Sequence, residues 1–237
     1  NKPISSQQLI DTTREIYSRG WLTIKLYFMI GQPFETIEDV QAIADLCKQV
    51  FFEGRKVRGK RINLHVGIGT FVPKSHTPFQ WATVNRPEEI QQKLSLLRTE
   101  LRMPGIKPTW TDPLTTLLEG LLSRGDRRIG QVILKAWQKG AKFDAWQDQF
   151  NYQIWMEAFN ECGLDPAFYI HREKGLDEKL PWDHISSGVR KEFLQKDFQW
   201  SMEQKLRADC REQCYACGIL TQYGQVRTEN QAEWKCP

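Results

Sequence analysis

Leu22-Thr-Ile-Lys-Leu-Tyr-Phe-Met-Ile30-Gly31-Gln-Pro33-Phe-Glu35-Thr36 reads as a β-strand that runs into a tight turn and then into a capped helix. Its β-branched and aromatic residues suit a pleated, half-buried surface, and its apolar character marks a strand buried on at least one face. Gly31 lets the backbone turn sharply at the carboxyl end of that strand, where α/β folds place their ligands. Thr36 with Asp39 has the spacing of a capping box, and Val40, Ile43, Ala44, Cys47 and Val50 form one apolar helical stripe behind it.

The same logic extends in both directions. Upstream, Ser5 and Gln8 suggest a second capping box, Leu9, Ile10, Thr13, Ile16 and Tyr17 follow helical spacing, and Gly20 stands where a left-handed cap belongs. Downstream, residues 61–72 predict a second strand, and Pro87 opens a helix carrying Ile90, Leu94, Leu97 and Leu101. Residues 106–110 give a short third strand. Alternation of helix and strand points to the α/β class with a parallel sheet. So few strands do not close a barrel, so residues 1–111 are expected to be the C-terminal half of one.

From Asp112 the pattern changes. Helices are expected over 114–123, 127–139, 143–162 and 187–198, with few strand signals. Residues 112–209 therefore read as a helical extension packed by Trp137, Trp146, Trp155, Trp182 and Trp200. Residues 210–237 form a Cys-rich tail.

Composition narrows the function classes. Of 237 residues, 40% are hydrophobic, enough for a sizeable core, and 33 basic residues against 29 acidic ones leave a net charge of +4. That excess is too small to announce nucleic acid on its own. No run approaches the ~18–20 apolar residues of a membrane span, and no signal-peptide pattern opens the chain. The six cysteines are unevenly placed: Cys47 and Cys162 stand alone, while Cys210, Cys214, Cys217 and Cys236 crowd the end. A reducing, cytoplasmic setting with a metal site fits this better than dispersed disulfides. A chain that opens on Asn1 is expected to be part of a longer protein.

Three segments carry chemistry. Cys210-Arg-Glu-Gln-Cys214-Tyr-Ala-Cys217 brings three soft sulfur ligands within eight residues, with Cys236 as a fourth across a loop. Thiolates held so close repel unless a cation joins them, so metal binding is expected, as zinc or as an iron–sulfur cluster. Asn63, His65, Gly67 and Gly69 fall on one face of the second strand, opposite Leu64, Val66 and Ile68. Small side chains there leave room for a ligand, and His65 offers it a hydrogen bond. The loop that follows, through Val72 and Pro73, carries Lys74 and His76 between two prolines. Finally, Arg55-Lys-Val-Arg-Gly-Lys-Arg61 holds five basic residues, read either as a solvated loop or as a phosphate contact for RNA.

Taken in order, these segments resemble radical S-adenosylmethionine (SAM) proteins of an uncharacterised branch. Lys25-Leu-Tyr-Phe-Met-Ile-Gly31-Gln-Pro33-Phe-Glu35-Thr36 is similar to a late barrel strand and its Gly-x-Pro-x-Glu-Thr turn. Phe71-Val-Pro-Lys-Ser-His-Thr-Pro-Phe-Gln-Trp81, Leu122-Ser-Arg-Gly-Asp-Arg-Arg128 and the Cys-x3-Cys-x2-Cys-Gly at the tail resemble later parts of that branch. The resemblance implies a [4Fe–4S] cluster that cleaves SAM to a 5′-deoxyadenosyl radical, which takes hydrogen from an unidentified substrate. It places the cluster ligands after the first barrel strand, so they belong to a missing N-terminal half of the same protein. Cys210, Cys214 and Cys217 have matching spacing in the wrong place and are expected to form an additional site. The implied cofactor-binding positions here are Ile30, Gly31, Pro33, Glu35, His65, Val72 and Pro73. No acid/base pair suggests catalysis apart from that cofactor, and the fragment alone is expected to be inert. The alternative is a non-enzymatic RNA-binding module with a C-terminal zinc knuckle and the Arg55–Arg61 loop on phosphate.

Overall fold

The computed structural model describes residues 4–231. Helix α1 (Ser6–Ser18) leads into β1 (Thr23–Ile30), α2 (Ile37–Arg58), β2 (Asn63–Thr70), α3 (Pro87–Glu100) and β3 (Ile106–Trp110). The strands form an open, three-stranded parallel sheet in the order β1-β2-β3, with Thr23 opposite Asn63 and Leu64 opposite Ile106. Both expected capping boxes are present: the Ser5 side chain accepts from Gln8 N–H, and that of Thr36 from Asp39 N–H. These local bonds fix where α1 and α2 begin by satisfying donors that the first helical turn leaves open.

The sheet has two unlike faces. Leu26, Ile30, Leu64, Val66, Ile68 and Ile106 are buried against α2 (Val40, Ala44, Cys47, Val50, Phe51) and α3 (Ile90, Leu94, Leu97). The pleat sends the intervening residues the other way. Lys25, Tyr27, Met29, Lys107 and Thr109 are exposed there, with His65, Gly67 and Gly69 half-buried between them. One face is thus a packed core, and the other lies open.

The rest is helical: α4 (Pro113–Arg124), α5 (Ile129–Gln138), α6 (Tyr152–Glu161), α7 (Pro166–Ile170), α8 (Lys191–Met202), α9 (Ile219–Gln222) and α10 (Gly224–Glu229). Asp112 caps α4 through the N–H groups of Leu114 and Thr115. Leu117, Leu121, Val132, Trp155 and Phe159 belong to a second core, and Trp81, Trp182, Leu194 and Phe198 to a third. No helix among the described residues is long and apolar enough to cross a membrane.

Several expectations need correction. The helix expected over 143–162 exists only as α6. Asn151 caps it by accepting from Gln153 N–H, and Phe143 adopts a left-handed φ of 57° where a helix would have to pass. The helix expected over 187–198 starts at Lys191, because Gly188 has a φ of 79°. Trp137 and Trp146 are 59% and 66% exposed rather than packing residues. The Arg55–Arg61 stretch is not a loop: Arg55 to Arg58 complete α2, and Gly59–Arg61 form a 3-10 turn.

Candidate functional site

The turn after β1 is built on Gly31. Its φ is 80°, and a Cβ there would lie 2.9 Å from Ile90 Cδ1 and 3.1 Å from Asn85 Oδ1, so both conformation and space favour glycine. Glu35 reaches back across the turn, and its Oε1 accepts from Gly31 N–H at 2.8 Å. The same oxygen meets Lys93 Nζ at 2.7 Å, with the two side chains only 12% and 8% exposed, and Lys93 also donates to Asn85 Oδ1 at 2.9 Å. Burial in an apolar setting leaves each charge dependent on the other. Glu35 therefore braces the turn, with both contacts directed inward.

Around this turn lies a cleft of about 260 Å³ lined by Gly31, Pro33, Phe34, Asn85, Glu173 and Phe198 among others. Phe34 is 58% exposed with a left-handed φ of 65°. Its ring lies 6.3 Å from that of Phe198, which also packs on Phe79 and Trp81. A separate hollow of about 320 Å³ lies on the open face of the sheet, between Lys25, Tyr27, Gly67, Gly69 and Thr109. His65 stands on that face in register with Lys25 and Lys107, and Lys25 Nζ sits 4.8 Å above the Tyr27 ring.

The sequence-derived positions divide accordingly. Gly31, Pro33 and Glu35 meet at the cleft, and His65 lies on the open face. Ile30 is wholly buried in the helix-facing core, and its carbonyl accepts from Phe71 N–H at 2.8 Å. Val72 and Pro73 are buried too, Val72 near α4, so their side chains pack within the protein. Lys74 is ion-paired with Glu119.

The basic stretch stays at the surface, with Lys56, Arg58, Lys60 and Arg61 exposed, but part of it is engaged within the fold. Arg58 donates to the carbonyls of Tyr17 and Ser18 at 2.6 and 3.0 Å, capping the C-terminal end of α1 where a cation is favoured. Arg55 lies 4.7 Å over the Phe51 ring and donates to Pro104 O, while Lys56 pairs with Glu53. Three of the five cations offered to RNA have work within the fold.

In the tail, Cys210 and Cys214 are exposed and Cys217 is half-buried; Cys236 lies outside the described residues. Among the described residues no group of three or more His, Cys, Asp or Glu is placed to hold a metal ion. The backbone at Cys214-Tyr-Ala-Cys217-Gly218 is nonetheless a knuckle. Ala216 and Gly218 have φ of 53° and 112°, and Ala216 N–H donates to Cys214 Sγ at 3.4 Å. The knuckle is fastened to the start of α8, where Arg190 N–H donates to Cys217 O at 2.8 Å.

Sequence reasoning missed Lys93 and Arg124. Each occupies an apolar register position, Lys93 beside Ile90 and Leu94, and Arg124 in line with Leu117 and Leu121. A charge on a buried stripe is a signal for a partner inside the protein.

No family model matches the chain, and no solved structure matches it. It is similar to an uncharacterized protein of Methanocaldococcus jannaschii, at 28% identity over 110 residues, a stretch covering 46% of this chain and 23% of that protein. The chain spans less than a quarter of that relative.

Proposed function

We propose that this chain is the C-terminal part of a radical SAM enzyme. In this reading residues 1–111 are the second half of its barrel, residues 112–209 a helical extension, and the tail a separate metal-binding element. The observation that carries it is the pair of unlike sheet faces. Sequential parallel strands keep α2 and α3 on one side, while the other side presents Gly67, Gly69 and His65 only half-buried, with the Tyr27 ring beside Gly67. Such a face suits the inner wall of a barrel completed by an upstream half.

The cluster ligands lie outside this chain on this proposal, so its own residues bind and orient. Gly67 and Gly69 keep the wall flat beneath SAM, and His65 offers a ring nitrogen to it. The Gly31 turn, braced by Glu35 and Lys93, holds the rim of the wall in one conformation. When bound, the cluster and SAM supply the radical chemistry, and the surrounding wall shields it from water. The thiols of Cys210, Cys214 and Cys217, joined by Cys236, are assigned to zinc or to a second iron–sulfur cluster.

Anaerobic reconstitution of the full-length polypeptide with iron and sulfide tests this. A four-iron cluster is expected that survives Cys214→Ser, with about four irons retained per polypeptide. Metal in excess of that cluster is expected to be lost in the same variant, because a knuckle lacking one thiolate no longer closes on its ion. Absence of bound iron, or loss of all of it in Cys214→Ser, would count against the proposal.

A further inference from the structure

A second polar centre lies behind the cleft. Arg124, at the end of α4, is 1% exposed, yet it has no carboxylate partner among the described residues. Its Nε donates to Tyr169 O at 3.1 Å and its Nη1 to Gln80 O at 3.4 Å, while Nη2 is buried without a partner. Lys174, 5% exposed, likewise forms no ion pair among those residues, and its backbone N–H donates to Trp81 O at 3.4 Å. The Trp81 indole N–H is also buried without an acceptor. Asp126 pairs with Arg128 and Glu178 with Arg172, each at 2.6 Å, while Glu173 is exposed at the cleft.

Two buried cations with no carboxylate among the described residues paired to either are a costly arrangement. We propose that Arg124 and Lys174 form a binding site for a compact tetrahedral oxyanion of the phosphate class. A guanidinium with an unfilled donor matches phosphate oxygens, and two positive charges without a paired carboxylate match a dianion. The near-complete burial of both side chains selects the free ion over a bulky ester. Ala82 and Glu173, the chain neighbours of Trp81 and Lys174, line the cleft and mark the way in. The titration behaviour agrees with this geometry. Burial lowers Lys174 to about 8, and the positive charges of Arg124 and Arg172 press the same way, against weaker opposing pulls from Glu178 and Asp126. Burial, followed by Arg172, lowers Arg124 to about 10. A bound anion would relieve both. This site does not depend on the radical SAM reading.

The test is titration of the full-length polypeptide with inorganic phosphate at constant ionic strength, followed by calorimetry and by ³¹P line width. Saturable binding is expected, and Lys174→Met is expected to weaken it about tenfold or more, the loss of one charge-assisted hydrogen bond. Lys174→Met removes a buried like charge and so is expected to fold in phosphate-free buffer. Adenosine 5′-monophosphate, the probe for an esterified phosphate, is expected not to compete. Absence of phosphate binding, unchanged affinity in Lys174→Met, or tight binding of the ester alone would each overturn the proposal.

Discussion

Gly67→Leu is expected to abolish SAM cleavage by the reconstituted full-length polypeptide, a loss of about 100-fold or more, while the fold survives. Gly67 lies in the middle of β2, opposite Tyr27 and Thr109, on the sheet face without helices. A Cβ at this position would meet Tyr27 Cδ1 at 3.0 Å, but that ring is 73% exposed and free to swing aside. Leucine also has the stronger preference for a strand, so the substitution spares the sheet. Its bulk instead fills the hollow assigned to SAM. An unchanged thermal midpoint with lost turnover is the expected pair of results. Full activity in this variant would mean that the open face is not a ligand wall.

Glu35→Ala is expected to have the largest effect on stability. It leaves the Lys93 ammonium buried with Asn85 Oδ1 as its remaining partner and frees Gly31 N–H from its bond across the turn. Breaking one side of a buried pair costs about 3–5 kcal/mol. For a domain of this size that corresponds to a fall of about 6–20 °C in the thermal midpoint. Replacing both partners by apolar residues, Glu35→Leu with Lys93→Met, is expected to recover most of the loss, since no charge is then stranded. A midpoint that does not move in Glu35→Ala would show that the pair is hydrated and the turn holds itself.

Much of the α/β part was legible because its signals are local. The Ser5–Gln8 and Thr36–Asp39 boxes, the strand alternation through Leu64, Val66 and Ile68, and the glycine turn at Gly31 each depend on a few adjacent residues. Errors arose where side chains reach further. Arg58 reads as a solvated cation, yet its partners Tyr17 O and Ser18 O lie some forty residues away in α1. The expected helix over 143–162 is cut short by the left-handed Phe143 and the Asn151 cap, local backbone bonding that periodicity does not weigh. Glu35 enters the sequence reading only as a cofactor-binding position implied by the resemblance, and its ion pair with Lys93 on α3, more than fifty residues on, lies beyond any local pattern. Burial of Arg124 and Lys174 follows from the meeting of α4 with the segment after α7, a contact no local pattern encodes.

The measurement closest to the central claim is release of 5′-deoxyadenosine. Full-length polypeptide, reconstituted with iron and sulfide without oxygen and supplied with SAM and a strong reductant, is expected to form it, and Gly67→Leu to suppress it. A polypeptide that carries its four-iron cluster yet yields no 5′-deoxyadenosine would contradict the account.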